Sequence, residues 1–237
     1  TVPLRTTEPR RASPMIPRTA LKHAMRTALL IPLSLLLSMG VATGQNNEAS
    51  IMQTGDDNDA RIVQTTVGNV GTIEQVGSDN DATLLFNQDG DNTGMLMQHG
   101  SDHDVGLIVD GYDNIADIRQ FGTNAHTIGF TGTADDPAGM FQSGDHNEIY
   151  VVQRGSDRGH TLRTADGADY IQDGDANTID LTQDGSDQLA MLRQDGDDNT
   201  ITVRQDGTAR NTATVRQESG GNQATVRQNG TGNTATV

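Results

Sequence analysis

Cysteine and tryptophan are absent from this 237-residue chain, and aromatic residues make up only 3% of it. Without cysteine there is no disulfide framework, no thiolate nucleophile and no sulfur-ligated metal. With so few aromatics there is little material for a deep conventional core. Lysine is missing after residue 44. Six of the 16 basic residues (Arg5, Arg10, Arg11, Arg18, Lys22, Arg26) and one of the 32 acids (Glu8) lie before that point. Residues 45–237 therefore carry 10 Arg against 31 acids, about −21 in net charge. A surface of that sign argues against nucleic acid as a partner, because phosphate is neutralised by basic residues.

What the chain does hold is glycine, 27 residues of it, and a repeat. Six complete copies of Gln-x-Gly-x-x-Asn-x-(Ala/Ile)-x-(Ile/Leu/Val) start at Gln53, Gln75, Gln142, Gln172, Gln194 and Gln228. They recur in register with a spacing near eleven residues. Self-similarity at a fixed short period is the mark of a stacked architecture. It also makes disorder a poor description of an otherwise acidic, polar sequence.

The N-terminal part is different. Lys22, His23 and Arg26 precede an apolar run from Ala28 to Met39, followed by Ala42 and Gly44 at the −3 and −1 positions of a cut after Gly44. A basic start, a short apolar stretch and small residues at the end describe a secretory signal peptide over residues 25–44. The run is too short to span a bilayer, so no transmembrane segment is expected in the mature chain. Residues 1–24 read as an unstructured upstream segment, with Met15 or Met25 as the start. Residues 45–237 form the repeat region.

From Asn199 to Gln205 the alternation is strict. Asn199, Ile201, Val203 and Gln205 share one face, and Thr200, Thr202 and Arg204 share the other. That is the two-residue period of a half-buried strand, built from β-branched residues. The Asp- and Gly-containing segments between strands are turn chemistry, with glycines Gly55, Gly77, Gly144, Gly174, Gly196 and Gly230 at the recurring turn position. Each unit is then a strand plus a tight turn, and two units make a coil of about 22 residues. The expected fold is all-β: a stacked strand-turn-strand β-solenoid with two facing parallel sheets in a cross-β arrangement.

Roughly eight coils at about 4.8 Å each give a rod about 40 Å long. Inward positions are small or aliphatic (Ala60, Ala82, Ile149, Ile179, Ala224, Val226) and bracketed by amides. Stacking sets like over like, so those amides are expected to form hydrogen-bonded ladders. The ladder residues are Gln53, Asn58, Gln64, Gln75, Asn80, Gln142, Asn147, Gln153, Gln172, Asn177, Gln183, Gln194, Asn199, Gln205, Gln217, Asn222, Gln228 and Asn233. Phe86, Val109, Thr131 and Thr164 fall in expected Gln slots, and residues 121–170 fit the period least well.

The motif Gln-x-Gly-x-x-Asn-x-Ala-x-x-x-Gln behind a signal peptide, as in Gln53, Gly55, Asn58, Ala60 and Gln64, resembles the curlin repeats of bacterial curli subunits. The resemblance covers about four fifths of the chain, with more repeats than the usual major subunit. It implies an extracellular amyloid fibre subunit of a biofilm matrix, mediating adhesion and aggregation. It also implies a nucleator and an outer-membrane secretion pore as partners. Apart from the family, the last unit stops in mid-strand at Val237 and the first strand begins near Glu48. Unpaired strand edges at both ends would template addition of another copy, and a head-to-tail contact that does not close gives a filament.

Charge opposes this. Asp56, Asp57, Asp173, Asp175, Asp195, Asp197 and Asp198 crowd the turns, and we read them as gatekeepers that slow assembly. The alternative in another class is a calcium-binding β-roll adhesin that stays monomeric, its Asp-rich turns supplying oxygen ligands. The eleven-residue spacing does not match the nine-residue pattern of such rolls, so weak Ca²⁺ binding is the most expected of the turns and no cofactor is required. Thr pairs such as Thr200 and Thr202 do not persist, which weakens an ice- or carbohydrate-binding solenoid. No enzyme is expected, since the paired acids recur as turn composition. His99, His103, His126, His146 and His160 read as scattered turn residues, and the outward Arg119, Arg193, Arg204, Arg216 and Arg227 as partners of nearby Asp.

Overall fold

Strict alternation followed by a Gly-Asp turn builds the same coil again and again in the computed structural model, which describes residues 46–123, 125–129, 140–155, 159–165 and 170–237. The upstream segment at 1–24 and the signal sequence at 25–44 lie outside these residues, as does Thr131. Among the described residues there are eighteen strands and no α-helix. One sheet contains β1 (Glu48–Thr54), β3 (Val70–Ser78), β5 (Thr93–Ser101), β7 (Ile115–Gly122), β10 (Glu148–Arg154), β13 (Thr178–Gly185), β15 (Thr200–Gly207) and β17 (Gln223–Asn229), in that spatial order.

The facing sheet contains β2 (Asp59–Gln64), β4 (Asp81–Gln88), β6 (Asp104–Asp110), β8 (Thr127–Ile128), β9 (Met140–Ser143), β11 (Thr161–Thr164), β12 (Tyr170–Asp173), β14 (Leu189–Asp195), β16 (Thr212–Glu218) and β18 (Thr234–Thr236). Every pairing is parallel, β1 on β3 and β15 on β17 alike. Parallel strands need a long crossover between them. Here the crossover is the other half of the coil, so each strand pairs with one about 22 residues away, as Ile179 does with Ile201. The result is a β-solenoid of eight rungs.

Two rungs of the second sheet are interrupted. Strand β8 pairs with Asp104 and Val105 of β6, and β9 resumes the same rung from Leu107 to Asp110. In the next coil β11 pairs with β8 and with β14, and β12 resumes with Gln172 opposite Gln194. The coil length rises accordingly, to 33 residues between Gln120 and Gln153 and 30 between Gln153 and Gln183, against 22 between Gln183 and Gln205. The insertions explain the poor periodicity of 121–170. They also correct one expectation: Thr164 sits opposite Leu192, and the Gln slots of these two rungs are filled by Gln142 and Gln172.

The interior is one narrow, continuous apolar seam. Ile73, Leu96, Ile118, Val151, Leu181, Val203 and Val226 run along one sheet, and Leu84, Leu107, Leu192 and Val215 face them, all buried. Alternate residues point outward, so the seam is a single side chain deep on each side. Burial per residue is modest, and coil-to-coil hydrogen bonding must therefore be complete for the fold to hold.

Candidate functional site: stacked amide and imidazole ladders

In the first sheet the Gln that closes each strand stacks on the Gln of the next coil. Nε2 of Gln53 donates to Oε1 of Gln75 at 2.8 Å, and the same bond repeats through Gln98, Gln120, Gln153, Gln183, Gln205 and Gln228 at 2.8–3.0 Å. All seven bonds point the same way. Many of these amides also donate to a backbone carbonyl of the facing sheet, as Gln205 does to Leu189. A buried amide with both its donor and its acceptor used carries no desolvation penalty of the kind an orphaned one would. Gln98 and Gln120 belong to this column although neither starts a complete copy of the motif. Their 22-residue spacing was the signal that could have found them.

The second sheet carries a shorter version. Gln142, Gln172, Gln194 and Gln217 are joined at 2.9–3.1 Å. Upstream the column is apolar, with Phe86 and Val109 in the same position. The structure therefore does not join Gln64 to this ladder. Gln64 stands opposite Phe86 and donates instead to the backbone carbonyls of Glu48 and Asn69. At the other side of the break Oε1 of Gln142 is buried without a partner, because Val109 offers no N–H.

The residue before each strand forms two further columns. Before the first sheet, Asn47, Asn69, Asn92, Asn114, Asn147, Asn177, Asn199 and Asn222 stack, each Oδ1 accepting the backbone N–H of the next at 2.8–3.1 Å. Before the second sheet the column runs Asn58, Asn80, His103, His126, His160, Gln188, Asn211 and Asn233, with the same bond throughout at 2.9–3.3 Å. Three of the five histidines read from the sequence as scattered thus share one repeat position. The insertion between His126 and His160 hid this by stretching that step to 34 residues, against 23 between His103 and His126. The other two lie outside the column, His99 against Glu74 at 3.0 Å and His146 against Asp113 at 3.6 Å.

The turn glycines explain how the coils approach so closely. Gly77 has φ +129°, and a Cβ there would stand 1.7 Å from the carbonyl oxygen of Gly100 in the next coil. The column continues through Gly122, Gly155, Gly185, Gly207 and Gly230, and a second one holds Gly111, Gly144, Gly174 and Gly196. Only a residue without Cβ fits both the left-handed backbone and the contact.

The proposed gatekeepers do not make one column. Asp175 and Asp197 stack, with Oδ1 of Asp175 accepting the N–H of Asp145 and Oδ1 of Asp197 that of Asp175. Asp173 pairs with Asp195, whose carboxylate also takes Arg193 at 3.0 Å. Asp56 and Asp57 are exposed on the first coil, and Asp198 is exposed beside Asn199. A column absent from the sequence reading is Asp59, Asp81 and Asp104, aligned outward on three successive rungs. Desolvation and the neighbouring carboxylate push Asp81 and Asp104 above the usual range. Of the outward arginines, Arg119 grips Asp117 with two bonds, and Arg193 and Arg216 hold the acids two residues on.

The curlin associated repeat family matches residues 44–66, 55–85, 174–207 and 208–237. The chain carries curlin associated repeats. No curated protein and no solved structure matches it. The matched segments of this curlin-repeat chain hold four of the six complete copies of the motif, those starting at Gln53, Gln75, Gln194 and Gln228. The unmatched stretch holds Val109, the histidine column and the two insertions. Among the described residues no helix is long and apolar enough to cross a membrane.

Proposed function

We propose that this curlin-repeat chain is a secreted structural subunit that polymerises head to tail into extracellular, curli-like amyloid fibres of a biofilm matrix. One observation carries the proposal: along the first sheet every coil meets the next through the same one-directional pair of bonds, one Gln to Gln and one backbone N–H to Asn. Each coil there offers a Gln N–H on one side and a backbone N–H, to be taken up by Asn, on the other. A pair of bonds that repeats at each of seven steps contains no stop, and a contact between copies that repeats it translates without closing. The strands at the edges of the described sheets, β1 and β17, carry the same face pattern, Ala-x-Ile-x-Gln from Ala49 and Ala-x-Val-x-Gln from Ala224. Coil 8 of one copy can therefore receive coil 1 of another in the register used inside the chain, Gln228 over Gln53.

The role is structural rather than enzymatic. A nucleator and an outer-membrane pore are the partners the family suggests, with adhesion and aggregation as the outcome. The crowded Asp turns act as gatekeepers: columns of like charge repel across about 8 Å at physiological ionic strength, so raising salt should shorten the lag before assembly. Salt is the cleaner variable than pH, because it leaves the buried histidines unaltered. A lag indifferent to salt would sink the gatekeeper role.

X-ray fibre diffraction on the full chain, refolded from denaturant in chelator, tests the main proposal. The expected pattern is a meridional reflection near 4.7 Å and an equatorial one near 10 Å. A monomer that stays soluble, or that folds only with added Ca²⁺, would overturn it.

A further inference from the structure

The column before the second sheet uses three imidazoles where the other coils use amides, and that exchange brings titratable side chains into a buried ladder. The rings of His103 and His126 stack at 4.7 Å and 7°, those of His126 and His160 at 4.8 Å and 2°. All three are buried. Nδ1 of each ring accepts a backbone N–H from the next coil: His126 on His103, His160 on His126, and Gln188 on His160. Nε2 faces a backbone carbonyl, of His99, Phe121 and Arg154 respectively. An N–H can only donate and a C=O can only accept, so each ring is fixed as the neutral Nε2–H tautomer.

A further proton has nowhere to go except Nδ1, where it would meet an N–H head-on. Charging a ring therefore breaks a bond between coils and places a cation in a dry stack beside another ring. An amide at the same position makes both bonds and never titrates.

We propose that the His103–His126–His160 column is an acid-sensitive joint: below neutral pH the coils it spans open along the second sheet, while the coils in which amides fill this column stay closed. The charged groups around the column do not relieve it evenly. Asp102, in the same turn, favours a charge on His103. Asp184 and Asp187, from the next coil, favour one on His160, although Arg154 lies 3.6 Å from Asp184 and Arg210 3.4 Å from Asp187. His99, four residues before His103, is taken up by Glu74. Among the described residues His126 is flanked by the other two rings and by no carboxylate, and burial together with those rings holds it at about 4, against 6.5 for a free imidazole.

The sign follows from linkage. An unfolded imidazole takes up a proton as pH falls through 6.5 and the folded His126 does not until about 4, with His103 and His160 lowered in the same direction, so stability is full above 6.5 and falls across that window. The Asp81 and Asp104 carboxylates, raised in the folded state, act in the opposite direction, gaining stability as pH falls. They sit outside the column and soften its response without replacing it. The joint is a property of the fold and stands whether or not the chain polymerises.

Hydrogen–deuterium exchange of the full chain at pH 7 and pH 4.5, corrected for the intrinsic rate, tests it. Protection of peptides within 99–128 and 148–164 should fall by on the order of 100-fold more than that of 194–217, the factor for one imidazole of pKa about 4 compared with 6.5. His126→Asn, which restores the residue of the flanking coils, should remove most of that difference, and His126→Gln should do the same, since Gln188 already serves in the column. Equal acid responses of the two regions in the wild-type chain would overturn the proposal, and so would an undiminished response in a folded His126→Asn variant. The wild-type comparison decides the matter if neither variant folds.

Discussion

The central coils, roughly residues 86–173, and the C-terminal coils, 174–237, share one backbone and solve it with different side chains. In the C-terminal coils Gln, Asn and Gly fill their columns almost without exception, outward positions are mostly Thr, Arg and Asp, with Leu189 and Met191 apolar, and the family motif is legible. In the central coils Val109 replaces Gln, three His replace Asn, and two insertions leave the second sheet between β8 and β9 and between β11 and β12. Outward positions there include Met95, Met97, Ile115, Phe121 and Val152. The hydrogen bond, and not the residue, is what each position requires. Any side chain that accepts an N–H from the next coil will serve before a strand, whereas the glycine column of the first sheet, Gly55 to Gly230, holds glycine in every coil.

The largest expected effect tests that last distinction. Gly100→Ala and Gly185→Ala, one in each region, would place a Cβ 1.4 Å and 2.0 Å from the carbonyl oxygens of Gly122 and Gly207, both at positive φ. Each should cost about 3 kcal/mol or more in denaturant unfolding; a mild effect at Gly100 would mean the central coils do not share the glycine stack. Next in size, Gln183→Leu should cost about 2–4 kcal/mol, because it leaves Nε2 of Gln153 and Oε1 of Gln205 buried and unpaired.

Val109→Gln would sharpen the comparison from the other side. It offers an N–H to the orphaned Oε1 of Gln142 and should stabilise the chain by about 1 kcal/mol. A loss instead would show that the apolar break is packed for its own sake. The smallest effect belongs to the surface: Arg119→Ala and Arg193→Ala remove half-exposed ion pairs and should each change stability by less than about 1 kcal/mol.

Much of the fold was legible in the residues. The strand from Asn199 to Gln205 has the faces its alternation predicts, Asn199, Ile201, Val203 and Gln205 all buried. The turn glycines sit at positive φ where the Gly-Asp spacing puts them. The ladders were legible where complete copies of the motif survive and obscure elsewhere: Gln98 and Gln120 follow the 22-residue spacing but lack the complete motif around them, and Gln64 closes the copy begun at Gln53 but meets Phe86. The histidine column was obscured because an insertion stretches the step from His126 to His160 to 34 residues, against 23 from His103 to His126.

The sequence by itself determined what is local: which residues point inward, where the chain turns, and that coils of about 22 residues repeat. Alternation and turn chemistry act within a few residues and are written there. Only the tertiary structure decided which side chain stacks on which, that Gln142 and Gln172 resume their rungs after the insertions, and that three imidazoles meet face to face. Those contacts join residues 22 to 34 apart, and their register is set by parallel strand pairing and the packed seam beneath, which no short stretch of sequence contains.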